Sequence, residues 1–310
     1  MLPGLMFSRV IPCCIKNLRS SRILLSSTSV SGVQTQVNRW FTERANYVQV
    51  ERDSSVEGLA WVRMDRKPVN SLNSDMMMEL NLALENLENN ESYRGAILTS
   101  ANPGIFTAGL DITELYQRDS DYIRKFWIQL QNLWLKLYGS PLVLIAAING
   151  NSPAGGCLMA MACDYRIMAA GKYTTGLNEV KLGMVATQWL KDMMVSTIGQ
   201  RQAEVALQLG TMFNPEEAQS VGLVDKVVPQ ESIESIAREE MQKWLKIPDM
   251  ARELTKQMLR NQAIEKFNKN RETECDLMSM FMSSGGVQKN IGRYMETLSK
   301  ARGTKKATHS

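Results

Sequence analysis

Three glycine-bearing segments hold the residues of this chain with the clearest capacity for chemistry. They are Phe106-Thr-Ala-Gly-Leu-Asp-Ile-Thr-Glu, Asn149-Gly-Asn-Ser-Pro-Ala-Gly-Gly-Cys-Leu, and Gly176-Leu-Asn-Glu-Val-Lys-Leu-Gly. Glycine lets a backbone approach a ligand closely. A glycine pair that opens a helix also leaves unpaired N–H groups at the positive end of the helix dipole. Two such loops can aim two N–H groups at one oxygen while the carboxylate of Glu179 faces the adjacent carbon. That arrangement suits proton transfer next to a carbonyl whose developing oxyanion is held by backbone donors. Each feature alone has a plainer reading. Gly155-Gly156 can serve helix–sheet packing, Asp111 can cap a helix starting near Ile112, and Glu179 can be a surface carboxylate.

What the chain lacks narrows the chemistry. The only histidine is His309, the second-last residue, so Ser-His or Cys-His nucleophiles and His-ligated metals are excluded, and a general base must be a carboxylate, Lys, Tyr or Cys. Cys13, Cys14, Cys157, Cys163 and Cys275 form no metal-binding spacing. Three of them lie beyond the first 42 residues, an odd number that fits a reducing compartment better than a disulfide framework. No phosphate loop of the G-x-x-x-x-G-K-[ST] type occurs, and nothing calls for a metal. The net charge of +4 is accounted for by Arg9, Lys16, Arg19, Arg22 and Arg39, in an acid-free, Ser-rich stretch, which leaves the rest near neutral. No basic stripe marks a nucleic-acid-binding face. That leading stretch has the composition of a mitochondrial transit peptide, which places the expected destination in the mitochondrial matrix. No apolar run approaches the roughly 18 residues of a membrane span.

Periodicity supplies the elements that must position the three segments. Tyr47-Val-Gln-Val and Leu59-Ala-Trp-Val-Arg-Met alternate around a turn at 54–58, as a hairpin does. Asn73-Ser-Asp offers an N-cap ahead of Met76, Met77, Leu80, Leu84 and Leu87 at helical spacing. Gly95 to Ser100 and Leu142 to Ile148 read as buried strands, and Ile123 to Tyr138 as a helix between them. The alternation predicts an α/β fold with a parallel sheet and a site at loops leaving the strands' carboxyl ends. The C-terminal third reads as helices. One starts at the cap Asn214 followed by Pro215 and stops at Gly222, and others run over about 231–245, from 249 to about 267, and from 272 onward. Met278, Met280 and Met282 offer either core filling or an adaptable acyl or partner surface.

On these residues, segment 45–230 resembles the crotonase (enoyl-CoA hydratase/isomerase) superfamily. Phe106-Thr-Ala-Gly-Leu-Asp-Ile is similar to its first oxyanion loop, and Asn149-Gly, Ala154-Gly-Gly-Cys-Leu and Ala162-Cys-Asp-Tyr-Arg to its second. Pro68-Val-Asn-Ser-Leu, Gly176-Leu-Asn-Glu and several C-terminal stretches are similar to its double-bond-isomerising branch. The resemblance implies a crotonase-like ββα spiral core over 43–230, a helical oligomerisation region over 231–303 that builds a homotrimer, a polar tail at 304–310 and a transit peptide at 1–42. It implies that the N–H groups of Leu110 and Gly155 bind a thioester oxygen, that Glu179 is the catalytic acid/base, and that Ala108, Gly109, Asp111, Ile112 and Asn178 also border the substrate. Hydratases of the family carry a further glutamate directly after Gly-Gly-Cys, where this chain has Leu158. The implied reaction therefore moves the double bond of a 3-cis- or 3-trans-enoyl-CoA to the 2-trans position by a single-glutamate proton shuttle. No cofactor is implied, since coenzyme A is part of the substrate. A hydratase using Asp111 or Glu114, and a non-catalytic acyl-CoA-binding or scaffold protein on the same fold, are the alternative readings. An apolar neighbour such as Leu158 is expected to raise the pKa of Glu179.

Overall fold

Alternating side chains set β1 (Val48–Arg52) against β2 (Leu59–Met64) as the expected antiparallel hairpin, with Val48 opposite Met64. The structure, a computed structural model, describes residues 46–307. The expected leader over 1–42 and His309 lie outside the described residues. Asn73 caps α1 (Ser74–Glu88) by accepting from the Met76 N–H, and Asp119 caps α2 (Ser120–Gly139) through the Tyr122 N–H. A six-stranded sheet runs β1-β2-β3-β5-β7-β9, adding β3 (Gly95–Ser100), β5 (Val143–Ile148), β7 (Tyr165–Ala169) and β9 (Lys226–Val228). All its pairings beyond the hairpin are parallel.

Both faces of the sheet are covered, as parallel sheets require. Ala96 and Leu98 on β3, with Leu144, Ala146 and Ile148 on β5, point into a core shared with Leu80 and Leu84 of α1 and Leu130 and Trp134 of α2. The alternate residues Ile97, Val143, Ile145 and Ala147 point the other way. There they meet Ile233, Ala237, Met241 and Leu245, one stripe at fourfold spacing on α7 (Ile233–Leu245). The helix directly after the expected boundary at residue 230 therefore covers the sheet itself. It is preceded in the chain by α3 (Gly155–Ala162), α4 (Gln188–Ile198), α5 (Gln200–Leu209) and α6 (Pro215–Ser220), the last with the capping box of Asn214 and Glu217.

A second, three-stranded parallel sheet, β4-β6-β8, was not expected from periodicity. Its members, β4 (Gly104–Ile105), β6 (Gly150–Pro153) and β8 (Thr175–Gly176), are too short and glycine-rich to show an alternating pattern. Each follows a long strand of the first sheet: β4 after β3, β6 after β5, β8 after β7. Gly150 must be glycine, because a Cβ there would lie 2.0 Å from the carbonyl carbon of Gly104 across this sheet. The three chemistry-bearing segments all leave the carboxyl ends of this small sheet side by side.

The C-terminal helices correct one expectation. A single 35-residue helix, α8 (Asp249–Ser283), replaces the two read over 249–267 and from 272. The polar stretch Asn268-Lys-Asn-Arg contains neither Gly nor Pro, so nothing in it breaks a helix. The break comes at Ser284, before Gly285-Gly286, and α9 (Gly285–Ala307) runs into the stretch read as a tail. No described helix is long and apolar enough to cross a membrane.

Candidate active site

The first loop is built so that one N–H is left over. Ala108 N–H donates to Val69 O (2.9 Å), Gly109 N–H to Thr107 Oγ1 (3.1 Å) and Asp111 N–H to Leu72 O (3.0 Å). The Leu110 N–H between them finds no acceptor among the described residues. Asn70 holds this loop from behind. Its fully buried amide donates to Phe106 O (3.0 Å) and Ser100 Oγ (2.7 Å) and accepts from the Arg66 N–H (2.7 Å) and Asn102 Nδ2 (2.8 Å). The Asn70 carbonyl accepts from Thr107 Oγ1 at 2.6 Å. At φ 52° Asn70 occupies left-handed backbone space, which asparagine tolerates better than most residues.

The second loop delivers a helix start to the same place. Ala154, at φ 49° and ψ −113°, adopts a conformation that costs an L-residue of order 1–3 kcal/mol. It is held by its N–H to Gly176 O (2.8 Å) and by the Leu158 N–H to its own carbonyl (2.9 Å). As first residue of α3, Gly155 has no intrahelical acceptor for its N–H. The two glycines of the pair do different work. A Cβ on Gly156 would lie 2.7 Å from Ser152 Oγ and 2.9 Å from Thr107 Cγ2, so Gly156 serves the close packing of α3 on the first loop. A Cβ on Gly155 would lie 3.4 Å from Leu110 N, and one on Gly109 would lie 3.1 Å from Gly155 N. The two free N–H groups are thus neighbours across the seam between the loops.

Glu179 opens a 3₁₀ turn (Glu179–Leu182) that Gly183 closes in left-handed conformation at φ 71°. Asn290 of α9 packs on Gly183, its side-chain amide nitrogen lying 2.3 Å from where a Cβ would stand. The Glu179 carboxyl joins Leu110, Gly155, Leu158, Trp127, Leu130, Met184, Val185, Leu190 and Met282 around one narrow cleft of about 30 Å³, room for little more than a water. Burial among these apolar side chains pushes Glu179 up from 4.5 to about 7, with only its own backbone N–H pulling the other way. The residue as a whole is half-buried, but it lines the apolar cleft, and burial there governs its ionisation. Cys157, in the same region, is pushed up to about 12 by burial, so it stays a thiol.

Of the sequence-derived residues, the structure brings Leu110, Gly155, Leu158 and Glu179 into one cleft. Ala108, Gly109, Asp111, Ile112 and Asn178 flank it without walling it. The Asp111 carboxylate caps the 3₁₀ turn Ile112–Glu114 through the Thr113 N–H and pairs with Arg66 at 2.9 Å. Glu114 accepts from Tyr122 Oη. Neither carboxylate reaches the cleft. No hydrogen bond joins the Asn178 side chain to Glu179. Among the described residues no three His, Cys, Asp or Glu side chains could hold a metal ion. The methionines divide. Met278 is core, Met280 is 71% exposed and Met282 walls the cleft. Trp127 and Leu130 read in the sequence only as part of the helix over 123–138, and Leu190, Asn70 and Gln288 carry no sequence signal of a role at the site. Gln288 donates to Leu115 O (2.9 Å) and Met282 O (2.7 Å) and accepts from the Gln117 N–H (2.8 Å), tying α9 to the exit of the first loop.

The family model for enoyl-CoA hydratase/isomerase matches residues 54–302. The chain belongs to the enoyl-CoA hydratase/isomerase family. It is 47% identical to mouse mitochondrial enoyl-CoA delta isomerase 1, over 91% of this chain and 98% of that protein. To the human protein of the same name it is 47% identical, over 83% of this chain and 85% of the relative. The crystal structure of human mitochondrial delta3-delta2-enoyl-CoA isomerase superposes with a TM-score of 0.81 at 46% identity, over 83% of this chain and 99% of that one. An enoyl-CoA hydratase from Bacillus halodurans, 23% identical with a TM-score of 0.73, shares the fold.

Proposed function

We infer that this chain is an enoyl-CoA isomerase that converts 3-cis- or 3-trans-enoyl-CoA into the conjugated 2-trans-enoyl-CoA, a step in the β-oxidation of unsaturated fatty acids. The observation that carries the reading is a single carboxylate, Glu179, raised to about 7 in an apolar cleft beside the free N–H groups of Leu110 and Gly155. In this mechanism the thioester oxygen lies between the two N–H groups. Glu179 takes a proton from C2, charge spreads as a dienolate over the thioester, and the protonated Glu179 returns the proton to C4. A carboxyl with a pKa near working pH can serve both halves. The oxygen's added charge is met by donors already aimed at it, so no reorganisation is needed as it develops.

Leu158, buried against the cleft, favours isomerisation over hydration. Water addition needs a second base, and Asp111 and Glu114 are engaged by Arg66 and Tyr122. Coenzyme A enters as part of the substrate, with no further cofactor. Ala108, Gly109, Asp111, Ile112 and Asn178 border the substrate from the first and third loops. The same reading assigns 1–42 to a mitochondrial transit peptide, places the enzyme in the matrix, and gives helices of 231–303 to subunit contacts in a homotrimer. The test is ultraviolet detection of conjugated enoyl thioester from 3-cis- and 3-trans-enoyl-CoA, alongside Glu179→Gln and a water-addition assay on 2-enoyl-CoA. Conjugation lost in the variant, without comparable hydration, is the expected result. Dominant hydration would favour a hydratase, and neither reaction in a folded preparation would favour a binding or scaffold protein.

A further inference from the structure

Three helices supply much of the apolar lining around Glu179: Trp127 and Leu130 come from α2, Leu190 from α4 and Met282 from α8. Glu179 is the one titratable side chain in that lining among the described residues, and burial, with no neighbouring charge, is what raises it. Its ionisation therefore depends on how firmly these walls are held. Trp127 is the largest of them and 3% exposed. A buried indole needs an acceptor for its N–H as well as neighbours for its faces.

That acceptor is Glu274 of α8. Its Oε1 accepts the indole N–H of Trp127 (3.3 Å) and that of Trp189 on α4 (2.8 Å), the residue next to Leu190. Its Oε2 accepts from Nε2 of the fully buried Gln131 on α2 (2.8 Å). Trp127 and Gln131 are neighbours at i and i+4, so one carboxylate fastens two points of α2 and one of α4 to α8. The other charged and titratable groups nearby are engaged elsewhere. Arg271 donates to Gln131 Oε1 and Asn132, Cys275 Sγ donates to Gln131 Oε1, Arg124 pairs with Glu272 and Asp276, and Lys266 pairs with Asp192. Among the described residues no Lys or Arg forms an ion pair with Glu274, whose partners are three neutral N–H donors. A carboxylate holds such donors more strongly than a neutral oxygen does. Helix packing alone asks only for apolar surface at this point; what Glu274 adds is direction, because a bonded N–H fixes the rotation of its ring.

We propose that Glu274 is a positioning residue for the isomerisation, which through the Trp127 indole fixes the wall that keeps water from Glu179. The proposal rests on the isomerase reading above. Without Glu274 the buried Trp127 N–H loses its acceptor, and an unpaired buried donor is costly enough to turn the ring toward water. In a cleft of about 30 Å³ a turned ring admits additional water. A better solvated Glu179 ionises at lower pH.

The test is the pH profile of kcat/KM for 3-trans-hexenoyl-CoA in the wild type, Glu274→Leu, Trp127→Phe and the double variant. Glu274→Leu removes the acceptor, whereas Trp127→Phe removes the N–H and leaves the Glu274 charge in place. The acid limb is expected to move down by about one pH unit or more in each single variant, and no further in the double. At pH 5.5 each variant then keeps a larger share of its own plateau than the wild type does. A merely structural role would lower stability or the plateau and leave the limb where it was, so an unmoved limb in folded Glu274→Leu overturns the proposal. Additive shifts overturn it as well, because Glu274 would then act independently of Trp127. Where Glu274→Leu does not fold, an unmoved limb in Trp127→Phe overturns it. A wild type that turns over the substrate without an acid limb also overturns it and leaves the isomerase reading standing, whereas a wild type that conjugates no 3-enoyl-CoA overturns the reading itself.

Discussion

Ionisation of Glu179 must couple activity and stability in opposite directions, and the coupling can be worked from its environment. Burial raises this carboxyl from 4.5 to about 7, so between those values the folded chain keeps a proton that the unfolded chain has lost. Its contribution to stability is therefore fully present below about 4.5 and is lost as pH rises through about 7. At about 1.36 kcal/mol per pH unit, the span amounts to roughly 3 kcal/mol by pH 8. Glu179→Gln cannot ionise and escapes that loss. In thermal unfolding at pH 8 the variant should melt above the wild type by roughly 6–12 °C, using about 2–4 °C per kcal/mol for a chain of this size. At pH 5 the gap should shrink to roughly a quarter of that, because the unfolded carboxyl is already partly ionised above 4.5. Activity runs the other way, because abstraction at C2 needs the carboxylate. The kcat/KM of the wild type, which reports the free enzyme, should fall about tenfold per pH unit below 7, to about 3% of its plateau at pH 5.5. In the variant it should lie at least about 10²-fold below the wild-type plateau and lose this acid limb, so that the gap narrows as pH falls. A wild-type profile flat down to pH 5.5, or a variant whose melting temperature tracks the wild type from pH 5 to 8, would refute the argument that the apolar cleft sets the ionisation of Glu179.

Three further outcomes follow from the loops. Gly109→Ala places a Cβ 3.0 Å from Pro153 O and 3.1 Å from Gly155 N at φ 81°, so it should part the two N–H groups. Steady-state kinetics should show kcat down by about 10²–10³-fold, the usual cost of an oxyanion donor. Asn70→Ala strips the buried amide that braces the first loop, at about 1–3 kcal/mol for each unsatisfied group. Denaturant unfolding should show a loss of about 3 kcal/mol or more, and kcat should fall even where the protein remains folded. Leu158→Glu sets a second carboxyl in the cleft beside Glu179, and like charges disfavour joint ionisation. The acid limb of kcat/KM should move to higher pH by about one unit or more, and an unmoved limb would mean that the two side chains do not face each other.

Amino-acid order alone determined a good deal here, because the deciding signals are local. The hairpin, the Asn73 and Asn214 caps, the apolar runs of β3 and β5 and the α/β alternation follow from period, capping and turn chemistry within a few residues. The absence of histidine before residue 309 restricted the base, and the three glycine-bearing segments marked where the backbone could approach a ligand. Tertiary structure decided the rest, since those decisions are made by atoms far apart in sequence. Gly155 and Gly156 are indistinguishable in the sequence. Only the position of Leu110 N near one, and of Ser152 and Thr107 near the other, separates an open space from a packing contact. Asp111 and Glu114 looked available as second bases until Arg66 and Tyr122 were found holding them. The small β4-β6-β8 sheet, which aligns all three loops, exists only by pairing across the chain, its strands being too short to leave a pattern. The ionisation of Glu179 belongs to the fold for the same reason, because Trp127, Leu130, Leu190 and Met282, which keep water away from it, come from three helices that only folding brings together.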